Sequence, residues 1–261
     1  MIKAIFLDFD GTLYSHATNK IPESCVYALN KLQEKGIKSF ICSGRSPYET
    51  NWFKDDLKKV KFEGMILNNG QIGIDMKYNK IFDHPIHGEL KKRLIKTFNE
   101  KQISMYLNTF DDIFINYVSE AAIRTQNAVS SPVPPVKEYE GEDFYMVSMF
   151  FKDDEEYKKI CDMNKDAFIT TWQEGAIDIV SKDVSKSLGI KEMLSHYNIS
   201  IEEAIGIGDG ENDIDMIEKC GIGVAMGNGK DVCKQVADYV TTDIDEDGIY
   251  NALKHYFPEY L

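Results

Sequence analysis

Two short segments carry carboxylates at spacings that suit chemistry. The first, Asp8-Phe9-Asp10-Gly11-Thr12-Leu13, follows an apolar run at residues 2–7. In an extended segment, residues two apart send their side chains to the same side. Two carboxylates so placed are costly unless a cation or a shared proton lies between them. Gly11 permits a sharp exit and a close approach of backbone to ligand. Taken alone, the segment also fits an ordinary Asp-Gly turn or a nucleotide-sugar DxD metal site. The second segment, Gly206-Ile207-Gly208-Asp209-Gly210-Glu211-Asn212-Asp213, again follows a short apolar strand and opens a helix. Asp209 is therefore expected at the carboxyl edge of a sheet, where open α/β folds bind ligands. Asp8, Asp10, Asp209, Glu211 and Asp213 are hard oxygen donors of the kind that hold Mg2+ together with water and a substrate phosphate. The late segment lacks the glutamate that closes an EF-hand loop, and a solvated acidic loop is the plain alternative.

Two further pieces have the opposite sign. Ser43-Gly44-Arg45 follows a second apolar run. Its hydroxyl, its loop amides and the start of the following helix could cradle a phosphate, or simply mark a routine helix entry. Lys186 opens a helix, where a cation opposes the helix dipole, so either it has a specific anionic partner or it is one more surface lysine.

The elements that must position these residues follow from periodicity. Short apolar runs at residues 2–7, 39–42 and 65–67 read as buried strands. A helix begins at Pro22 and stops at Gly36. Ser46-Pro47-Tyr48-Glu49 reads as a capping box. Near the C-terminus, helices at 187–196, 212–219, 231–237 and 246–256 alternate with strands at 204–207, 223–226 and 239–241. Strand–helix alternation implies right-handed crossovers and a parallel sheet. The middle reads differently: helices at 90–99, 119–128 and 155–164, strands at 104–107, 113–117, 145–151, 168–172 and 176–180, and a linker holding Pro132, Pro134 and Pro135. Paired strands of this kind suit an antiparallel sheet with helices on one face. The fold class is therefore α/β, a Rossmann-like parallel-sheet core with an inserted α+β domain.

The chain has 261 residues, 43% of them hydrophobic, enough for a core without disulfide or metal staples. Its formal charge of −13 argues against nucleic acid or an anionic membrane as a general partner. No apolar stretch reaches membrane-span length. Cys25, Cys42, Cys161, Cys220 and Cys233 form no CxxC pair, so reduced thiols in a cytoplasmic chain are expected.

Together, Asp8-Phe9-Asp10-Gly11-Thr12, Ser43-Gly44-Arg45, Lys186 and Gly208-Asp209-Gly210-Glu211-Asn212-Asp213, in this order, resemble the haloacid dehalogenase (HAD) superfamily. The insertion after the third strand resembles the large C2-type cap of its Cof-type sugar-phosphatase branch. The resemblance implies a core at residues 1–82 and 184–261, a cap at 83–183, and Mg2+-dependent phosphoryl transfer through an aspartyl-phosphate. It implies Asp8 as nucleophile, Asp10 as acid and base, and Lys186 as charge stabiliser. The metal would be held by the Asp8 carboxylate, the Asp10 backbone carbonyl and Asp209, with Asp213 orienting from behind or through water. Ser43, Gly44, Arg45, Lys186 and Asn212 would hold the phosphate. Ser187 stands where the branch usually has glycine, which questions the local loop conformation. The expected substrate is a small phosphate ester, foremost a sugar phosphate, and the expected assembly a monomer or small homo-oligomer. A phosphomutase with the same chemistry, or a non-hydrolysing sensor of phosphorylated ligands, remains open. P-type ATPases share related motifs but need membrane spans. Specificity is expected from the cap acting as a lid, with the Trp172-Gln173-Glu174-Gly175 turn as candidate unless Trp172 is ordinary core, and from Arg45. His16, His84, His87, His196 and His255 lie outside the motifs, so a surface role is expected for each.

Overall fold

A computed structural model describes residues 1–128 and 131–261. It divides the chain into two compact units: Met1–Arg45, Glu49–Asp83 and Ser185–Leu261 in the first, Ser46–Tyr48 and His84–Val184 in the second. In chain order the strands are β1 (Ala4–Leu7), β2 (Lys38–Cys42), β3 (Gly64–Leu67), β4 (Ile72–Asp75), β5 (Lys80–Asp83), β6 (Met105–Thr109), β7 (Ile113–Ile115), β8 (Phe144–Phe150), β9 (Ala167–Gln173), β10 (Ala176–Ser181), β11 (Ala204–Gly208), β12 (Ile222–Ala225) and β13 (Tyr239–Val240).

The first unit is built on one sheet in the order β13-β12-β11-β1-β2-β3-β4-β5. From β13 to β3 all neighbours are parallel, as the strand–helix alternation predicts; β4 and β5 add an antiparallel meander on the β3 edge that the sequence reading left out. β1 lies at the centre and all four of its residues are fully buried. This is why it reads as a continuous apolar run rather than an alternating one. Its Ala4 and Phe6 face a cluster with Phe40, Ile66, Ile190, Met193, Leu194 and Met216, and Phe6 stacks on Phe40 at 4.8 Å between ring centroids. Burying one such side chain is worth about 1.5–3 kcal/mol, so the central strand is anchored by several independent contributions of that size.

The second unit is an antiparallel sheet in the order β7-β6-β8-β10-β9. Helices Gly88–Asn99 and Asp154–Met163 supply Leu90, Leu94, Phe98 and Ile160 to the face that carries Met105, Leu107, Val147, Met149, Ile177 and Ile179. The third helix, Glu120–Ala128, does not join them. Its Ala121 and Ala122 pack with Tyr106, Ile113, Ile115, Phe150 and Ala176, residues of the opposite strand parity and hence of the opposite face. Helices on one face only was therefore wrong: the buried Ala121-Ala122 pair is narrow enough to lie on the sheet's second side. Among the described residues, no helix is long and apolar enough to cross a membrane.

The topology does one thing for function. β11, β1, β2 and β3 are adjacent and parallel, so their carboxyl ends share one edge. Asp209, Asp8, Ser43 and Asn68 are the residues that follow those four ends.

Candidate active site

β1 stops at Leu7, and the Asp8 backbone N–H extends the ladder by one bond to the Ile207 carbonyl (2.9 Å). The chain then folds back: the Leu13 and Tyr14 N–H groups donate to the Phe9 carbonyl at 3.0 and 2.7 Å. Gly11 makes the turn at φ +81°, and an added Cβ there would lie 2.6 Å from an Asp209 carboxylate oxygen. The extended geometry expected to align Asp8 with Asp10 therefore ends before either residue, and the two carboxylates take different partners.

Asp8 is turned into the protein, 6% exposed. One of its oxygens accepts a hydrogen bond from Lys186 Nζ at 2.5 Å, and the same ammonium donates to Asp213 Oδ1 at 2.5 Å. Asp213 is fully buried, and its second oxygen accepts from the Asp209 and Gly210 N–H groups, both at 2.9 Å. Asp209 accepts from the Thr12 hydroxyl at 2.8 Å. Asp8, Asp209 and Asp213 each bring a carboxylate oxygen within 4.8 Å of the others.

Three clustered carboxylates thus have one ammonium among them, bonded to Asp8 and Asp213. Burial raises the Asp8 carboxyl well above its ordinary range, and repulsion from Asp213 adds to this, against the attraction of Lys186. Asp209 is pushed up to about 6, by burial first and by Asp213 as well, against the Thr12 hydrogen bond. Lys186 is raised: burial opposes its charge, but Asp213 and Asp8 outweigh that cost. A cluster with this surplus of buried negative charge and only oxygen donors suits a hard divalent cation.

The Asp209 shift makes a prediction. Between about pH 4 and 6 the folded, cation-free protein holds a proton that the unfolded chain, with an ordinary value of 3.8, has lost. The contribution of this group to stability therefore declines as pH rises through that window. Cation binding requires the proton gone and gains over the same window, by up to about tenfold per pH unit below 6. Thermal-shift measurements with and without Mg2+ at pH 5, 6, 7 and 8 should show an increment that grows as the pH rises through 6. A flat increment would contradict the assignment.

Asp10 lies outside this cluster. Arg45 grips it with a two-pronged ion pair, Nε to Oδ2 at 2.7 Å and Nη2 to Oδ1 at 2.6 Å, and His16 Nε2 meets Oδ1 at 2.7 Å. Burial works against its charge, yet the His16 and Arg45 hydrogen bonds prevail and lower it to about 2. The guanidinium itself lies over the rings of Phe53 and Phe9, at 4.5 and 5.5 Å from their centroids. Arg45, expected on phosphate, is here on Asp10. His16 was passed over because it is a single histidine outside any motif; its position six residues after Asp10, beyond the Gly11 turn, is the only sequence signal for it.

The remaining residues divide cleanly. Ser43 is buried and its hydroxyl accepts from the Arg45 N–H at 3.1 Å. Asn212 Nδ2 donates to Asn69 Oδ1 at 3.0 Å. Glu211 leaves the acidic group and pairs with Lys230 at the surface (2.9 Å). Ser185 caps the helix Lys186–His196, and Ser187 sits inside its first turn, its N–H donating to Asp215 Oδ2 at 2.9 Å. Ser187 is not among the positive-φ residues, so nothing in the local backbone requires glycine there. Gly70 does meet such a requirement. It has φ +104°, and an added Cβ would lie 2.0 Å from the Ser185 carbonyl oxygen, at the foot of the Lys186 helix. Gly70→Ala should cost about 2–6 kcal/mol through combined strain and overpacking, read as a fall in urea midpoint together with lost activity. In the second unit, Trp172 is half-buried and packs against the Tyr106, Ile113 and Phe150 cluster.

The chain is similar to known proteins over nearly all of its length. The family model described as haloacid dehalogenase-like hydrolase matches residues 5–253. The chain is 32% identical over 255 residues to the Bacillus subtilis strain 168 protein YkrA, whose name assigns it provisionally as a phosphatase; the match covers 97% of this chain and 96% of YkrA. Among solved structures, the HAD-superfamily phosphatase BT1666 from Bacteroides thetaiotaomicron superposes with a TM-score of 0.88 at 30% identity, covering 98% of this chain and 95% of that one. The HAD subclass IIB sugar phosphatase BT4131 superposes with a TM-score of 0.83 at 31% identity, covering 97% and 98%.

Proposed function

The chain belongs to the haloacid dehalogenase-like hydrolase family and is a phosphatase, and on that premise we propose that it hydrolyses small phosphorylated metabolites, sugar phosphates foremost, with Mg2+ and through an aspartyl-phosphate on Asp8. The observation that carries the reading is the clustering of the Asp8, Asp209 and Asp213 carboxylates, two of which, Asp8 and Asp213, share the single ammonium of Lys186. The likeness to a sugar phosphatase over the whole chain supports the substrate class.

In this reading the carboxylates of Asp8 and Asp209, oriented by Asp213, hold the cation, with the Asp10 backbone carbonyl as a further ligand. When bound, Mg2+ supplies positive charge that offsets repulsion between Asp8 and the incoming phosphate. Asp8 is ionised once that charge balance is met, and its oxygen attacks phosphorus as the ester P–O bond breaks. Lys186, the Ser43 hydroxyl and the Asn212 amide take the phosphoryl oxygens. A proton on the Asp10 carboxyl passes to the departing alkoxide. Water then loses a proton to the Asp10 carboxylate as its oxygen attacks phosphorus, which breaks the P–O bond to Asp8 and releases inorganic phosphate. Held at about 2 by Arg45 and His16, Asp10 starts as a carboxylate. Its acid role requires the Arg45 fork to move off it and the freed carboxylate to take up a proton from solvent before the ester bond breaks.

Leaving-group selection is assigned to the inserted unit, the cap of this reading, at residues 83–183. The test is phosphate release from a panel of monoesters, hexose phosphates included, with Mg2+ or with EDTA. Release with Mg2+ and its loss in EDTA are expected. No release from any ester, or release that survives EDTA unchanged, would reject the proposal.

A further inference from the structure

Three consecutive residues after β3 have positive φ: Asn68 at 49°, Asn69 at 56° and Gly70 at 104°. Asparagine tolerates this region better than other residues with a side chain, but two in a row still store strain, which persists only where the surroundings over-determine it. Here they do. The Asn68 N–H donates to the Arg45 carbonyl at 2.9 Å and the Asn69 N–H to the Ser43 carbonyl at 3.1 Å. The Asn69 side chain lies against Gly44, where an added Cβ would come 3.2 Å from its Oδ1. That Oδ1 accepts the hydrogen bond from Asn212 Nδ2. One left-handed turn, part of none of the four motifs, thus joins the Ser43–Arg45 loop to the late Asn212 segment, 143 residues away.

We infer that Asn69 is a positioning residue for the phosphate cradle. A carboxamide can present either end to a neighbour. An acceptor at Asn69 Oδ1 turns the amino end of Asn212 toward it, and so fixes where the second N–H and the carbonyl oxygen of Asn212 point. The backbone bond from Asn69 to Ser43 holds the other wall of the cradle in the same register. The side chain costs strain at this backbone position and is kept where glycine would be unstrained. The inference rests on the phosphatase reading, in which Asn212 contacts the phosphoryl oxygens.

Asn69→Gly keeps the left-handed backbone without steric cost and removes only the acceptor. Steady-state hydrolysis of p-nitrophenyl phosphate with Mg2+, and its inhibition by inorganic phosphate, are measured for wild type, Asn69→Gly, Asn212→Ala and the double variant. Asn69→Gly should raise KM and the phosphate inhibition constant by about five- to tenfold, with kcat within about twofold. In the double variant phosphate should bind about as weakly as in Asn212→Ala alone, because both substitutions remove one coupled unit. Losses that multiply would show that Asn69 acts independently of Asn212 and overturn the inference. Asn69→Gly matching wild type would overturn it and leave the phosphatase reading standing; wild-type protein that releases no phosphate overturns both.

Discussion

Asp8→Asn should fold, bind a divalent cation more weakly, and release no phosphate, with kcat lower by about 10^4-fold or more. The amide oxygen can still accept the Lys186 hydrogen bond that Asp8 accepts at 2.5 Å, so the local packing is kept. What it lacks is the anionic oxygen that attacks phosphorus in the proposed mechanism. The same substitution should stabilise the cation-free protein. Burial and the neighbouring Asp213 push the Asp8 carboxyl up, which means that folding disfavours its charge, and an amide removes that charge. Melting in EDTA at pH 7.5 should therefore occur at or above the wild-type temperature while activity vanishes. A variant that keeps near wild-type turnover would end the covalent mechanism.

Lys186→Met is expected to move stability in the other direction. The side chain is fully buried and its ammonium is shared between Asp8 and Asp213. Methionine fills much of the same volume but leaves the carboxylates without a counter-charge. Breaking a buried pair from one side costs about 3–5 kcal/mol. For a chain of this length that is a fall of about 6–20 °C in melting temperature when measured in EDTA. Acid should restore part of the loss, because a carboxyl raised further above its unfolded value takes up a proton in the folded state, and stability then rises as pH falls. A divalent cation should restore part of it at neutral pH by supplying the missing charge. Activity should fall by about 10^3-fold in either case, since the cation cannot also stand where, in the proposed mechanism, the ammonium meets the phosphoryl oxygens. Equal melting temperatures for Lys186→Met and wild type in EDTA would show that the acidic group is not the charged cluster described.

The two substitutions remove opposite halves of one ion pair. Their opposite stability signs follow from a count of charges: three carboxylates against one lysine. A balanced surface pair would respond to both weakly and with the same sign.

Much of the frame was legible in the sequence because it rests on local rules. A strand buried on both faces must be continuously apolar, so residues 2–7 announced the centre of the sheet. The alternation of strand and helix required parallel neighbours, and parallel neighbours put Asp8, Ser43 and Asp209 on one edge. The β4–β5 meander was missed although Ile72, Ile74, Met76 and Tyr78 alternate, because the Gly, Asn and Asp residues between and after them read as loop. Helix Glu120–Ala128 was assigned to the wrong face because periodicity states that a helix has an apolar side and says nothing of which sheet surface receives it.

At the site, the residue types and the chain order were determined by sequence alone: two carboxylates before a glycine, a serine–glycine–arginine loop, a lysine opening a helix, and a glycine-flanked acidic run. Their partners were not. Only the folded chain decides that Asp213 shares the Lys186 ammonium with Asp8, that Asp10 turns away to Arg45 and His16, that Glu211 leaves for Lys230, and that Asn69 reaches Asn212. Spacing constrains neighbours along one element. The direction of a side chain past a glycine turn, and the meeting of residues 27 to 178 positions apart, depend on how strands and helices pack.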